Sequence, residues 1–234
     1  MEDARINWEL LDEPIYTAAD VSRIVRVPYQ TVRYWAFGRH SVSPLFEVPQ
    51  TTPPALSFAN MLECHVLNAM RSKYELNVRN VRSALDSLAS KFHDPKRGHP
   101  LLTEDFRTNG IDLFINQGAI NISAGGQGTL LPLLNVYLER IQWSVAELGP
   151  RKFYPFVYEV SPREPRIISL TPTIAAGRPV IDGTGVSTAV IASRFFARDS
   201  VENLAQEYEL SERQIEEAIR WEGQSRSLDA QVAA

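Results

Sequence analysis

The sequence predicts an α+β protein that is mainly helical, and three observations support this prediction. Apolar residues recur every three to four positions over 16–37, 58–92 and 188–221, which is the spacing of helices that bury one face. Short β-prone runs are confined to the segment between them. The 44% apolar and 22% charged residues are usual for a globular protein, and 234 residues suffice for one large domain or two to three small ones.

Residues 16–37 predict two short helices joined by a turn at 26–28. The apolar positions that give these helices a buried face are Val21, Ile24, Val25, Val32 and Trp35. Thr17 is suited to cap the first helix, and Pro28 to start the second, where its missing N–H is not needed. Residues 38–57 contain four prolines and one glycine, which predicts an irregular hairpin. Helix, turn, helix and hairpin in this order are typical of a winged helix-turn-helix.

Residues 58–170 predict further helices and several short strands. Two helices are predicted over 58–74 and 78–92, the second capped by Asn77. Beyond a linker at 93–100, the middle of the chain predicts short strands at "IDLFI" and "INIS", a helix over 130–145, and strands over 153–160 and 166–170. "GGQG" predicts a plain turn, because it lacks the Lys-Ser/Thr of a phosphate-binding loop.

The stretch "VENLAQEYELSERQIEEAIRW", 201–221, predicts two amphipathic helices broken at "ELS", which is the shape of a second helix-turn-helix. Asp199 with Glu202, and Ser211 with Gln214, are spaced as capping boxes. The second helix is acidic, with Glu212, Glu216, Glu217 and Glu222. DNA would repel such a helix. The apolar residues form a seam for a core or a protein partner, at Leu204, Ala205, Tyr208, Ile215, Ala218 and Ile219.

The net charge of −4 conceals an asymmetry along the chain. Residues 14–100 hold eleven Lys/Arg and six Asp/Glu, whereas residues 197–234 hold four Arg and nine Asp/Glu. A basic front and an acidic back predict two different kinds of partner. Because imbalances of this size are also common on solvated surfaces, the charge alone leaves both readings open.

The front end resembles the MerR-like winged helix family, whose recognition helix begins T-[ILV]-R-[YF]-[YW]-[EQ]. The stretch "TVRYW", 31–35, fits that order, and Ala36 departs from the usual acidic residue. The resemblance implies double-stranded operator DNA as a partner. Inward-facing Val32 and Trp35 leave the neighbouring polar residues outward, where Gln can pair with adenine, Arg with guanine or phosphate, and hydroxyls with phosphate. The predicted DNA-binding residues are Tyr29, Gln30, Thr31, Arg33, Tyr34 and Arg39.

The back end resembles a small bacterial domain of unknown function that is often found in antitoxins of the VapB type. Its pattern is matched by Ile168, Pro172, Ile174, Gly177, Arg178, Pro179, Val180, Ile181, Gly183, Thr184 and Val186. Gly185 stands where the family usually has Arg. The resemblance implies a PIN-like ribonuclease toxin as the protein partner. An arginine of this chain that enters the toxin's active site, Arg226 or Arg220, could neutralise the acidic residues there. The predicted toxin-binding residues are Arg220, Trp221, Arg226 and Leu228.

These expectations combine into an antitoxin of a type II toxin–antitoxin pair that binds its toxin and represses its own operon as a homodimer. We expect the helices over 58–92 to form the dimer. The predicted domains are the winged helix-turn-helix at 14–97, an α/β middle segment at 98–164, a C-terminal helix-turn-helix-like antitoxin domain at 165–222 and a flexible tail at 223–234. The alternative is a stand-alone MerR-like transcription regulator whose middle segment senses a small molecule.

The sequence lacks a constellation for catalysis, which disfavours a nucleic-acid enzyme as a third possibility. None of the four histidines has a metal-ligand spacing with Cys64 or with another histidine. We therefore expect no enzyme activity, no catalytic residue, no metal and no cofactor. The acidic N-terminus and the absence of a long apolar run predict a cytoplasmic protein with no membrane contact.

Overall fold

The computed structural model describes residues 8–39, 42–73, 78–91, 98–103, 106, 127–144 and 149–232. It divides into two compact units, residues 1–150 and residues 151–234. Helices predominate and the strands are short and antiparallel, which confirms the predicted α+β, mainly α class. The strands predicted at "IDLFI" and "INIS", and the cap predicted at Asn77, lie outside the described residues.

The first unit is built around one enclosed helix. Its helices are α1 (Trp8–Leu11), α2 (Ala18–Val25), α3 (Tyr29–Phe37), α4 (Phe58–Lys73), α5 (Val78–Lys91), a 3-10 turn (Pro100–Leu102) and α6 (Gln127–Leu138). Its strands are β1 (Pro14–Tyr16), β2 (Leu56–Ser57), β3 (Ile141–Ser144) and β4 (Gly149–Phe153), which crosses into the second unit. β1 pairs with β2 in antiparallel register, Pro14 opposite Ser57 and Tyr16 opposite Leu56.

Helix α4 lies at the centre of this unit and packs against α2, α3 and α6. Every side chain from Phe58 to Leu67 is buried, the polar Asn60, Glu63 and His65 included. The part of α4 over 58–67 is enclosed on all sides and cannot offer a face to a second copy of the chain. The expectation that 58–92 forms the dimer therefore has no support from α4.

Helices α2 and α3 form as predicted because their apolar faces and caps agree. Thr17 and Asp20 make a reciprocal capping box, with Asp20 N donating to Thr17 Oγ1 over 3.1 Å. Val21, Val32 and Trp35 are buried between the helices and α4. The turn relies on Arg26, which has a left-handed backbone at φ 56° and closes the helix through its N–H to Ser22 O.

Two predicted elements of the middle segment are wrong in extent. The helix predicted over 130–145 ends at Leu138, because the carbonyl of Tyr137 accepts hydrogen bonds from His65 Nε2 and from the N–H of Arg140. The residues that follow form β3. The strand predicted over 153–160 ends at Phe153, since Pro155 has no N–H to donate. The N–H groups of Val157 and Tyr158 donate instead to Glu164 Oε1, each over 2.8 Å.

The second unit packs three helices over a small hairpin. Its elements are β5 (Ile168–Ser169), a 3-10 turn (Ala175–Gly177), β6 (Val180–Ile181), α7 (Thr188–Phe196), α8 (Val201–Tyr208) and α9 (Glu212–Val232). β5 pairs with β6 in antiparallel register, Ile168 opposite Ile181. The core consists of Ile181, Ile191, Leu204, Ile215 and Ala218. The apolar seam of α8 and α9 is thus mostly used inside the unit.

The predicted N-terminal cap of α9 is present, whereas the predicted cap of α8 is not. Ser211 and Gln214 form the expected capping box, with Ser211 N donating to Gln214 Oε1 over 3.0 Å. The box predicted between Asp199 and Glu202 is wrong, because Asp199 accepts from Arg194 Nε at 2.7 Å. Ser200 caps α8 instead, accepting from Asn203 N. Helix α9 continues to Val232, so 223–232, assigned from sequence to a flexible tail, has a helical backbone.

Gly38 closes the end of α3 in a conformation that only glycine adopts readily, with φ 70° and ψ −166°. A Cβ built there would lie 2.1 Å from the carbonyl oxygen of Val42, which forms an antiparallel bridge with Arg39. We expect Gly38→Ala to lower the free energy of unfolding by about 1–3 kcal/mol. Thermal unfolding would measure it. Gly223→Ala, in a helix with open space around it, is the control and should not destabilise; equal unfolding temperatures for both variants would contradict the strain at Gly38.

Within the described residues, no helix is both long enough and apolar enough to cross a membrane.

Candidate functional site

The first candidate surface lies on α3. Val32, Trp35 and Ala36 point into the core, so the intervening residues face outward. Ala36, which replaces the acidic residue of the MerR-like pattern, has no exposed surface. Gln30, Arg33 and Arg39 are exposed, and Tyr29, Thr31 and Tyr34 are half-buried. The structure therefore brings the predicted DNA-binding residues of 29–34 onto one helix and leaves them accessible.

The charges on this α3 surface are available to a ligand. The guanidinium of Arg33 lies 5.7 Å from the centroid of the Tyr29 ring, which orients it by a cation–π contact. Neither Arg33 nor Arg39 makes an ion pair within the part of the chain that the structure describes. Arg23 differs, because it is paired with Asp20 at 3.2 Å. The surface thus combines two free cations with amide and hydroxyl groups, which suits a polyanion.

The second candidate surface lies on α9 in the other unit, around a buried carboxylate. The Tyr158 hydroxyl donates to Glu217 Oε2 over 2.6 Å, and Arg220 Nη1 donates to the Tyr158 oxygen over 2.7 Å. Arg220 also pairs with Glu216 at 3.0 Å. Glu217 is 2% exposed, whereas Tyr158 and Arg220 are each nearly half exposed. Burial, followed by the hydrogen bond to Glu217, raises the pKa of Tyr158, so its hydroxyl remains a donor.

We call Tyr158, Glu216, Glu217 and Arg220 the α9 cluster. Sequence reasoning found Arg220 but missed Tyr158, which lies 62 residues away and meets it only in the folded chain. Trp221 is 3% exposed and packs inside the unit. The side chains of Arg226 and Leu228 lie outside the described residues. An exposed Tyr–Arg pair that is fixed by the buried Glu217 has the composition and rigidity of a protein-binding hot spot.

A third cluster is buried in the first unit and was also missed. His99 Nδ1 lies 2.9 Å from Glu63 Oε2, and His99 Nε2 lies 2.6 Å from Asp12 Oδ1. Trp8 stacks on the imidazole at 5.7 Å between ring centroids. Glu63 has no exposed surface, and its Oε1 has no hydrogen-bond partner among the residues that the structure describes. We call Asp12, Glu63 and His99 the buried triad.

The pKa directions of the buried triad follow from its geometry. Burial alone would lower the pKa of His99, but the carboxylates of Glu63 and Asp12 outweigh it and raise that pKa to about 10. Burial raises the pKa of Glu63, and His99 opposes that rise. His99 is therefore an imidazolium that compensates a buried negative charge. The buried triad thus places a compensated pair of charges, His99 and Glu63, in the interior of the first unit.

The remaining sites singled out by sequence have packing roles. Cys64 is buried in α4, and burial raises the pKa of its thiol. His65 is also buried, its Nε2 lies 3.0 Å from Tyr137 O, and burial lowers its pKa to about 3. Over the residues that the structure describes, no group of three or more His, Cys, Asp or Glu side chains is placed to hold a metal ion.

Comparison with known proteins relates the chain to antitoxin-like sequences. The family model described as "Protein of unknown function (DUF433)" matches residues 168–221. The chain is 24% identical to the Mycobacterium tuberculosis protein named "Putative antitoxin VapB45", covering 89% of this chain and 93% of that one. It is equally similar to "Uncharacterized protein Rv2308" of the same organism, covering 90% of each. The crystal structure of Rv2018 from M. tuberculosis has the same fold, with a TM-score of 0.67 over 89% of this chain and 99% of that one.

Proposed function

We propose that this protein is an antitoxin that binds a PIN-like ribonuclease toxin and represses its own operon as a homodimer on DNA. The observation that carries the proposal is the opposite chemistry of its two exposed surfaces. The α3 surface offers unpaired arginines to a polyanion, and the α9 cluster offers a Tyr–Arg pair on an acidic helix. Similarity to a protein named as an antitoxin extends over both units, which supports assigning both tasks to one chain.

In this proposal the α3 surface reads operator DNA. Arg33 and Gln30 are placed one turn apart at the start of an exposed helix, as in a recognition helix whose first residues reach base edges in the major groove. Tyr29, Thr31, Tyr34 and Arg39 then contact phosphates and fix the register. One such unit binds weakly, so two copies on two half-sites are required.

The α9 cluster is the toxin-facing element. Glu212, Glu216 and Glu222 give α9 a negative surface that disfavours DNA and complements a basic protein surface. Within that surface Arg220 is a cation held in place by Tyr158 and Glu216, positioned to bind a carboxylate of the toxin. The protein does no chemistry of its own and requires no cofactor in this scheme.

Co-expression with the product of the adjacent open reading frame tests the toxin-binding task. We expect the two proteins to co-purify and the antitoxin to abolish the ribonuclease activity of its partner. An adjacent gene that encodes no small acidic-site protein, or a partner that is neither bound nor inhibited, would contradict the proposal. Tight operator binding without any toxin would then favour the stand-alone regulator.

Arg220→Ala is expected to weaken toxin binding by about 2 kcal/mol or more, a rise in Kd of about 30-fold, because it removes a hot-spot cation and leaves Tyr158 without its donor. Calorimetry on the full chains would measure it. Arg213→Ala is the matched control, since Arg213 is an exposed arginine on the same helix and outside the cluster. Equal affinities of the two variants for the toxin would show that the α9 cluster is not part of the toxin interface.

A further inference from the structure

A cleft of about 340 Å³ opens in the second unit, between the β5–β6 hairpin and the start of α9. Its lining includes Arg166, Ile167 and Asp182 from the hairpin region and Ser211, Arg213 and Gln214 from the start of α9. We call it the arginine cleft. Its volume lies near the lower end of the range for clefts that hold small molecules. The cleft is therefore large enough for a small ligand or for one charged group of a larger one.

The two arginines of the cleft lie on different elements and have no carboxylate partner. Arg166 precedes β5, Arg213 lies in the first turn of α9, and both are exposed. Neither forms an ion pair with any residue in the described part of the chain. The guanidinium of Arg166 lies 5.6 Å from the centroid of the Tyr154 ring, and this cation–π contact fixes its position. The cleft thus has a free positive charge on each of the two elements that form it.

The one carboxylate that lines the arginine cleft is already bound. Lys152 Nζ donates to Asp182 Oδ1 over 2.8 Å, and the Tyr154 hydroxyl donates to Asp182 Oδ2 over 3.3 Å. Lys152 therefore compensates the charge of Asp182. Arg166 and Arg213 remain as a surplus of two positive charges at the cleft.

Gln214 adds a neutral donor to the same cleft. Its Oε1 accepts from Ser211 N over 3.0 Å and from Ser211 Oγ over 2.8 Å. Its Nε2 has no hydrogen-bond partner among the residues that the structure describes. Because the acceptors of the cleft are occupied and its donors are free, a matching ligand must be rich in acceptors and negatively charged.

A terminal phosphate matches this donor set better than a carboxylate does. It has three acceptor oxygens and close to two negative charges, so that it can accept from two guanidinium groups at once. A carboxylate has one negative charge and two oxygens, which a single guanidinium already satisfies. A nucleic acid is disfavoured, because Glu209, Glu212 and Glu216 lie on or beside the same end of α9 and would repel a polyanion.

We propose that the arginine cleft binds the terminal phosphate of a small phosphate monoester, held between Arg166 and Arg213 with Gln214 Nε2 as a further donor. This site goes beyond the proposed antitoxin function, since it requires neither toxin nor DNA. It also differs from the small-molecule sensor of the alternative hypothesis, which would use the middle segment at 98–164.

Calorimetric titration of the full chain with inorganic phosphate, in a phosphate-free buffer of low salt, tests the site. We expect one phosphate per chain with a Kd on the order of 1 mM. Arg166→Ala and Arg213→Ala should each raise this Kd about tenfold or more, because each removes a charge-assisted pair of hydrogen bonds. Arg178→Ala and Arg198→Ala remove the same charge from exposed positions of the second unit outside the cleft and should leave the Kd unchanged.

Two further probes test the kind of anion. Acetate presents a carboxylate, and dimethyl phosphate presents the singly charged diester of a nucleic-acid backbone. Both should bind at least about tenfold more weakly than inorganic phosphate, because each has one negative charge for two arginines. Thermal unfolding of every variant establishes that it is folded, which is expected because the four arginines are exposed.

The possible results are distinct. Absence of saturable phosphate binding overturns the site, and so does an equal loss of affinity in the Arg178→Ala and Arg198→Ala controls. Acetate or dimethyl phosphate bound as tightly as phosphate overturns the monoester as ligand, and the second result identifies a contact for nucleic acid. Failure of toxin binding leaves the inference unaffected, because phosphate binding is measured on the chain by itself.

Discussion

Replacing His99 by alanine is expected to lower the free energy of unfolding by about 3–5 kcal/mol, the range for breaking a buried ion pair from one side. The imidazolium lies 2.9 Å from Glu63 Oε2 and 2.6 Å from Asp12 Oδ1. Without it, the Glu63 side chain has no exposed surface and, among the described residues, only Asn60 Nδ2, 3.5 Å away, as a donor to Oε2. Denaturant titration of the purified chain would measure the loss.

Two variants separate the charge from the packing. Glu63→Met/His99→Leu removes both charges and should be more stable than His99→Ala, because no uncompensated charge remains. Asp12→Asn changes the partner that is 47% exposed and should cost about 1 kcal/mol or less. If His99→Ala were as stable as the natural chain, the buried triad would contribute nothing to the fold.

The pH dependence of the free energy of unfolding distinguishes the charge of His99 from its packing, because a loss of stability at high pH requires a titrating group. The folded pKa of His99, about 10, exceeds its ordinary value of 6.5. Its contribution is therefore complete below about pH 6.5 and is lost as the pH rises towards 10. His99→Ala should lack this alkaline decline. Because burial raises the pKa of Glu63, the variant should instead recover stability in acid, where that carboxyl takes up a proton.

The parts of the fold that sequence could predict are those set by local chemistry. The cap at Thr17 and the capping box at Ser211 were predicted because such caps involve residues only three positions apart, although the box that Asp20 completes with Thr17 was not predicted. The helices of 16–37 and 201–221 were found because their apolar spacing is that of a half-buried helix. Asp199 was misassigned because a residue on another turn, Arg194, competes for its carboxylate.

The sites that sequence could not predict depend on distant partners. His99 is bound by residues 36 and 87 positions away, and Tyr158 meets Glu217 across 59 positions. Periodicity also cannot distinguish a helix that covers a core from one enclosed by it, which is why the helix over 58–74 was included in the dimer element predicted over 58–92. The exposed residues of α3 could be predicted, because the outward positions on a short helix follow from the inward ones.

Arg33→Ala should weaken operator binding by about 1–3 kcal/mol for each half-site, and so by about 2–6 kcal/mol for a dimer on two half-sites. Arg33 is exposed, has no ion-pair partner among the described residues, and is oriented by Tyr29 at 5.7 Å. Fluorescence anisotropy with a duplex from the upstream region would measure the change. Arg71→Ala removes the same charge from an exposed position on α4 and should alter binding little.

The salt dependence decides what Arg33 contacts. If its guanidinium binds guanine, Arg33→Ala should bind unrelated duplexes almost as well as the natural chain does and lose its preference for the operator. If it binds phosphate, affinity for all duplexes should fall together, and the slope of log K against log salt should decrease by about one for each copy. Unchanged affinity for operator and unrelated DNA alike would contradict the assignment of α3 as the reading helix, and with it the repressor half of the proposed function.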